Sequence, residues 1–335
     1  MKSENEILKP ASQAQVQMAP AQAGPPLVTV FVACYNHSRF VEECLDSVRH
    51  QTYTNLQVIV LDDCSKDDSV SVIDAWLRKH RLDWHFIRHA KNMGICATLN
   101  EALRMARGRY VSMIAADDVW EPDKISEQVR VMESFPEKVG VLYSDAYQIN
   151  ENGELLPKMF IAAHRSLPEM PEGCIFDTLI DGNFIPAMTT LIRLRCFEVV
   201  GNYDENLVFE DWDMWLRISR HFEFKYFPAP AARYRIVGTS MLRTLSVEMR
   251  ESSYQIMVKC LRSGWLTAQR REDAFDAEHM VARLAYRRKL PGRLSETALV
   301  FRRRPSIRNA ILLLCVASGL PYRRFEQFRR LICSF

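Results

Sequence analysis

Between Val28 and Ser144 short β-branched runs alternate with longer stretches whose apolar residues recur every three to four positions. VTVFVA (Val28–Ala33), LQVIVL (Leu56–Leu61), WHFIRH (Trp84–His89), YVSMIA (Tyr110–Ala115) and VGVLYS (Val139–Ser144) read as strands. Between them Phe40, Val41, Cys44, Leu45 and Val48, and again Ile95, Leu99, Leu103 and Met105, fall at helical spacing. The alternation predicts an α/β fold built of βα units around a mostly parallel sheet. Beyond Ser144 the pattern is sparser. Asn152-Gly153 predicts a hairpin turn, while MTTLIR (Met188–Arg193), FEFKYF and ARYRIV predict strands. EDWDMWLRISR (Glu210–Arg220) predicts a helix with acids in its first turn, where the helix dipole favours them.

Composition narrows the class. The 335 residues, 48% of them hydrophobic, suffice for one large domain or two ordinary ones. The net charge of +3 conceals a basic end, with nine arginines against two glutamates from Pro291 to Phe335. That bias suits an acidic partner surface, and nothing in it points to nucleic acid. Within it AILLLCVASGL (Ala310–Leu320) is too short to span a bilayer. Arg302, Arg303, Arg304, Arg308, Arg323 and Arg324 flank it. Two readings stand: a segment lying on an anionic membrane face, or a helix packed on its own domain. The nine scattered cysteines form no CxxC pair, which predicts reduced thiols in a cytoplasmic protein. The start shows no secretory leader, and residues 1–26, rich in Ala, Gln and Pro, are expected to be disordered.

In an open α/β sheet the ligand crevice lies beyond the carboxyl ends of the strands. Three such ends carry polar clusters: CYNHS (Cys34–Ser38), DDCSKDDS (Asp62–Ser69) and ADDVW (Ala116–Trp120). If the strands are neighbours, their carboxylates share one crevice, which is costly unless a cation or hydrogen-bond donors offset it. No glycine-rich loop follows the first strand, which argues against a dinucleotide-binding dehydrogenase and a sugar nucleotidyltransferase. A phosphorylated receiver domain would end its first strand on paired aspartates, whereas this one ends in CYN.

Taken in order, VTVFVACYN, VIVLDDCSKDDS, KNMGICATLNEAL, GRYVSMIAADD, VGNYDENLVFEDWDMWLR and YRIVGTSM resemble the inverting glycosyltransferases of family 2, which have the GT-A fold: a nucleotide-binding mixed sheet flanked by helices. The resemblance runs over residues 28–241 and implies a catalytic domain at 27–245, with a nucleotide-binding half (27–145), an acceptor half (146–245) and a helical basic region at 246–335. By that resemblance Tyr35 and the backbone from Ala33 to Asn36 border the nucleotide base, and Asp63 accepts a hydrogen bond from its ring N–H. An ionised carboxylate is acceptor-only, so it selects uracil, thymine or guanine over cytosine; without the resemblance, DDCS also reads as an ordinary helix cap. Asn92 and Gly94 match the donor-side loop. Asp117 matches a position near the ribose, and Asp118 the ligand of Mg²⁺ or Mn²⁺, which would bridge carboxylate and diphosphate. The commoner pattern has another Asp where this chain has Ala115, which implies a metal that arrives with the nucleotide. Asp211 matches the catalytic base, with Glu210 beside it shaping the acceptor pocket or raising its basicity. Trp212 and Trp215 are either a flat surface for a sugar or core residues at helical spacing. Arg235 and Arg243 are candidates for diphosphate charge, since Val237 stands where relatives often carry a His. The resemblance implies a nucleoside-diphosphate sugar as donor, UDP or dTDP by preference, and a glycan or lipid-linked acceptor in cell-surface polysaccharide synthesis. The alternative is a degenerate member that serves as a nucleotide-binding or scaffold partner.

Overall fold

The computed structural model describes residues 24–238, 246–266, 278–279, 281–283, 285–287, 293–303 and 305–325. Its first half follows the predicted βα order: β1 (Val28–Cys34), α1 (Val41–Arg49), β2 (Leu56–Asp62), α2 (Ser69–His80), β3 (His85–Arg88), α3 (Ile95–Met105), β4 (Tyr110–Ala115), β5 (Val119–Trp120) and α4 (Lys124–Met132). Then come β6 (Val139–Tyr143), β7 (Ala146–Ile149), α5 (Phe160–His164), α6 (Phe176–Leu179), β8 (Leu191–Arg193), α7 (Leu194–Val200), α8 (Asp211–Ile218), β9 (Glu223–Tyr226) and β10 (Ala232–Arg235). Beyond lie the helices α9 (Ser246–Arg262), α10 (Arg293–Arg303) and α11 (Ile307–Ala317).

Seven strands form one sheet in the order β3-β2-β1-β4-β8-β6-β9, and β5-β10-β7 form a second. Strands β1 to β4 are mutually parallel, whereas β8 runs antiparallel to β4 and β6, so the sheet is mixed. Its strands are apolar almost throughout because both faces are covered. Phe31, Ala33, Ile59 and Leu61 enter one core cluster, while Val30, Val32, Val58 and Val60 alternate into the other. Each such Val, Leu, Ile or Phe side chain contributes about 1.5–3 kcal/mol on burial. Where β4 begins, Gly108 runs against β1 so closely that a Cβ would lie 2.6 Å from the Thr29 amide nitrogen.

Register positions the site. Cys34 pairs with Asp62, Ala33 with Ala115 and Asp62 with Arg88. The segments after β1, β2, β3 and β4 therefore leave the sheet along one edge, as the three polar clusters required.

One expectation fails locally. Met188–Arg193 is a strand only over Leu191–Arg193; Ala187–Thr189 forms a 3₁₀ turn. Thr189 Oγ1 donates to the Ser144 and Pro186 carbonyls and Thr190 Oγ1 to the Ala187 carbonyl, an example of hydroxyls competing with the ladder. The Asn152-Gly153 turn forms, with a bridge from Ile149 to Leu155 and Gly153 at φ 83°. Helix α9 joins the main core through Ile256, Cys260 and Leu261, whereas α10 and α11 share a smaller cluster with Tyr286 and Phe325. Among the described residues no helix is long and apolar enough to cross a membrane.

Candidate functional site

The loops after β1 and β2 are stitched to each other. Asn36, held at φ 60°, accepts from the Lys66 N–H on Oδ1, and its own N–H donates to Ser65 Oγ. The His37 N–H donates to Ser69 Oγ at 2.9 Å and the Ser38 N–H to Asp67 Oδ2 at 2.9 Å. This order leaves Tyr35 on the surface, 42% exposed. Ala33, by contrast, is buried within β1, its carbonyl accepting from the Ala116 N–H. Of the two aspartates at the end of β2, Asp62 closes the turn that follows rather than capping α2: its oxygens accept from the Ser65 N–H and Oγ.

Asp63 is buried and joins β2 to the segment before α3. Its Oδ1 accepts from the Met93 N–H at 2.7 Å and lies 2.7 Å from His89 Nδ1, while Oδ2 accepts from the Gly94 N–H at 2.8 Å. Gly94 sits at φ 83°, a conformation that glycine adopts without strain. Asn92 Nδ2 donates to the Asp63 carbonyl at 3.2 Å. A carboxylate offers about four lone-pair positions. Three are engaged, leaving one on Oδ2.

Asp117 and Asp118 turn away from β4. Asp118 is 2% exposed and accepts from the Arg235 N–H at 2.9 Å. Burial, then the neighbouring Asp117 charge, pushes its carboxyl well above the usual carboxylate range, although the Arg235 N–H and charge pull the other way. The pair is short of positive charge. Arg235 does not make up the difference as a free guanidinium. It is buried, its Nε donates to the Asp117 carbonyl at 2.8 Å, and its Nη atoms reach Glu43 Oε2 at 2.6 Å and the carbonyls of Asn150 and Glu151. The diphosphate role expected of Arg235 is therefore corrected: it clamps the acidic turn to β10, the Asn152-Gly153 hairpin and α1. Arg243 lies outside the described residues, as does the rest of the segment from 239 to 245.

The second acidic pair starts α8. Asp211 Oδ1 accepts from the Trp212 N–H at 2.6 Å, and Oδ2 accepts from Asn183 Nδ2 at 2.6 Å. The amide orientation of Asn183 is set independently, because its Oδ1 accepts from the Ile185 N–H at 3.1 Å. Burial raises both Asp211 and Glu210, and the Asp211 charge raises Glu210 further. The same carboxylates reach into the first turn of α3, where burial and then Glu210, Asp204, Asp213 and Asp211 push the Cys96 thiol up. Trp212 is core, not a sugar platform: it is 9% exposed and its indole N–H donates to the Leu179 carbonyl at 2.7 Å. Trp215 lies deeper, edge-on to Phe224.

Sequence reasoning missed two residues here. Asn183 lies in a stretch without periodicity, so no signal marked it. His89 ended a quoted strand, yet nothing in the pattern distinguished its ring from any strand-end histidine.

The sequence model described as "Glycosyl transferase family 2" matches residues 29–193, a span holding β1 to β8 and the first three acidic or polar strand ends. Residues 29–193 are a glycosyltransferase family 2 domain. A family relative described as an uncharacterized glycosyltransferase of Rickettsia felis is 29% identical over 203 residues, 59% of this chain and 33% of that protein. The chain thus spans about a third of that relative's length. A chondroitin synthase of Escherichia coli is 26% identical over 60% of this chain and 28% of its own. Among solved structures, a mannosyltransferase of Pyrobaculum calidifontis in complex with GDP-Man and Mn²⁺ superposes with a TM-score of 0.53 at 20% identity, covering 92% of this chain and 85% of that one. The fold is thereby that of the GT-A glycosyltransferases. Asp211 lies beyond the family match.

Proposed function

We propose that the protein is a metal-dependent inverting glycosyltransferase that moves a sugar from a nucleoside diphosphate to an acceptor hydroxyl. The observation that carries this reading is the Asp117–Asp118 pair, short of positive charge, on the same sheet edge as Tyr35 and Asp63. Two adjacent carboxylates are hard oxygen donors that suit Mg²⁺ or Mn²⁺. Among the described residues no three acidic, histidine or cysteine side chains form a complete metal cage, so the pair fits an ion that shares its coordination with the donor diphosphate, with Asp118 as its principal protein ligand and Asp117 toward the ribose. When bound, such an ion supplies charge to the leaving diphosphate.

The chain's own groups account for the remaining steps. Tyr35 offers an exposed ring to the base. Asp63, with one acceptor position left, suits a base edge with a single N–H, as in uracil or thymine, better than the two adjacent donors of guanine. The Met93 and Gly94 N–H groups fix that carboxylate, and Asn92 holds the Asp63 carbonyl. Asp211 takes the proton from the acceptor hydroxyl while that oxygen attacks the anomeric carbon opposite the departing diphosphate, inverting the configuration. A carboxyl raised by burial is better matched to this task near neutral pH than an ordinary aspartate. Glu210 adjoins the acceptor side.

The chondroitin synthase relative fits a glycan acceptor in polysaccharide synthesis. A lipid-linked acceptor fits the far end of the chain, where Leu314 (67% exposed) and Leu320 (40%) lie with exposed Arg302, Arg303, Arg323 and Arg324, a composition suited to the cytoplasmic face of an anionic membrane. Protein that stays in the supernatant with anionic vesicles at low salt would contradict that placement. The central reading is tested by calorimetry with UDP, dTDP, GDP and CDP, with and without Mn²⁺. Metal-dependent binding of UDP or dTDP supports it; binding of none of the four overturns it.

A further inference from the structure

His89 follows β3 and has no role in the reading above. Its N–H donates to the Asp62 carbonyl at 2.9 Å, which holds the residue beside the end of β2. The ring is shared between two carboxylates: Nδ1 lies 2.7 Å from Asp63 Oδ1, and Nε2 lies 3.2 Å from Oε2 of Glu101, midway along α3. The ring and the Asp63 side chain are each 8% exposed. Helix α3 thus begins with N–H groups on Asp63 and returns to the same carboxylate, through Glu101 and the ring, farther along.

An ionised carboxylate only accepts hydrogen bonds, and a neutral imidazole has one N–H to give. The neutral ring can serve Asp63 or Glu101; the imidazolium serves both. A positive charge in contact with a buried carboxylate favours its ionised form. The other charged or titratable groups around the ring are engaged elsewhere or face solvent: the Asp62 carboxylate is taken up by Ser65, Arg88 pairs with Asp74 on α2, Lys66 reaches the Cys64 sulfur, and Lys91 is exposed. The proton on Asp63 matters because it decides which base the pocket admits. Ionised, the open position on Oδ2 accepts an N–H, as uracil offers. Protonated, the same oxygen donates, and the bare ring nitrogen of cytosine accepts.

We infer that His89, held by Glu101, is a positioning residue that keeps Asp63 ionised and so makes the donor pocket reject cytosine nucleotides on the acidic as well as the alkaline side of neutrality. The inference rests on the donor-site reading above and extends it from the carboxylate that meets the base to the ring behind it. A buried carboxylate is costly to keep charged. The Met93 and Gly94 N–H groups offset part of that cost, and the imidazolium supplies the charge that two neutral donors lack.

The test follows the ratio of UDP to CDP affinity by calorimetry with Mn²⁺ on the full chain, between about pH 5.5 and about pH 8, a range that brackets the ordinary histidine value. The two ligands share ribose, diphosphate and metal, so titration of those groups cancels in the ratio and the base remains. Wild type is expected to keep the same preference for UDP across the range. His89→Asn keeps an amide donor for Asp63 Oδ1 but carries no charge, so Asp63 takes up its proton at a higher pH. Its preference for UDP should match wild type at the alkaline end and fall about tenfold at the acid end. A ring that merely packs the loop would change the ratio by the same factor at every pH, or not at all, which overturns the inference. It is equally overturned, without any variant, if the wild-type preference itself falls by that factor over the same range. Failure of wild type to bind UDP, or to prefer it over CDP near neutral pH, is a different result, which strikes the donor-site reading and this inference with it.

Discussion

Asp117–Asp118 and Glu210–Asp211 are the same sequence event, two adjacent acids in a chain stretch that is otherwise largely buried, and they are accommodated by different physics. The first pair ends a parallel strand. Asp118 accepts one backbone N–H, from Arg235, and its carboxyl is displaced upward by burial and by Asp117. The second pair opens a helix, where the dipole favours negative charge, and Asp211 has hydrogen bonds to both oxygens from Trp212 and Asn183. At this strand end, among the described residues, only the Arg235 N–H converges on the Asp118 carboxylate, so the deficit there matches an added divalent ion. A helix start with an amide partner supplies converging donors, so Asp211 can hold or release a proton without an ion. The N-terminal segment of α3 links Asp63 to the second pair, since Gly94 holds Asp63 and Cys96 feels Glu210 and Asp211.

The sharpest way to break this comparison is Asp211→Asn. If the helix-borne pair is the proton-handling one, transfer should fall by roughly 10³-fold or more, while metal-dependent nucleotide affinity stays within about twofold of wild type. Turnover retained in the variant would remove Asp211 from the base role and leave the two pairs undistinguished.

Asp118→Asn addresses the other pair and should act in opposite directions on function and stability. The amide keeps the acceptor for the Arg235 N–H and removes one of two crowded charges. Metal-dependent nucleotide binding is then expected to be lost, whereas the metal-free protein gains about 1 kcal/mol in thermal unfolding. The pH sign agrees. A carboxyl raised in the folded state binds its proton more tightly there than in the unfolded chain, so metal-free wild type gains stability as pH falls through that raised range toward the ordinary carboxylate range, and loses it as pH rises back. The variant should flatten that dependence. A wild type whose metal-free stability shows no such trend would mean that Asp118 is not strained.

These roles were unevenly legible. The strands β1, β2 and β4 could be placed to within a residue because both faces are buried, which leaves near-continuous apolar runs with abrupt polar ends. The convergence of CYNHS, DDCSKDDS and ADDVW followed from parallel neighbours in register. What the sequence could not show is what each polar side chain meets. Arg235 looked like a phosphate ligand, and its guanidinium instead makes four hydrogen bonds to carbonyls and Glu43. Trp212 sits at a spacing shared by core and binding faces, and only packing decides between them. Asn183 lies about 28 residues before its partner Asp211 in a stretch whose order comes from side-chain to backbone bonds, which leave no hydrophobic period.

Asn183 also carries the smallest and most discriminating effect. Its Nδ2 donates to Asp211 Oδ2, and a hydrogen bond to the ionised form lowers a carboxyl's pKa. It therefore opposes the burial that raises Asp211. In Asn183→Ala that opposition is gone and Asp211 binds its proton up to a higher pH. Since the base must be ionised to act, the acid limb of the rate profile should move upward: kcat/KM falls about tenfold on the acidic side and returns toward the wild-type value in alkaline solution. A residue that merely packs the loop would lower activity equally at every pH. Nucleotide affinity should not change, because Asn183 contacts Asp211, to which the proposed function gives the proton and not the nucleotide. A variant whose profile keeps its shape, or whose loss appears in nucleotide binding, would show that the helix-borne pair does not depend on a donor from outside its helix, and the contrast with Asp118 would then rest on the helix dipole alone.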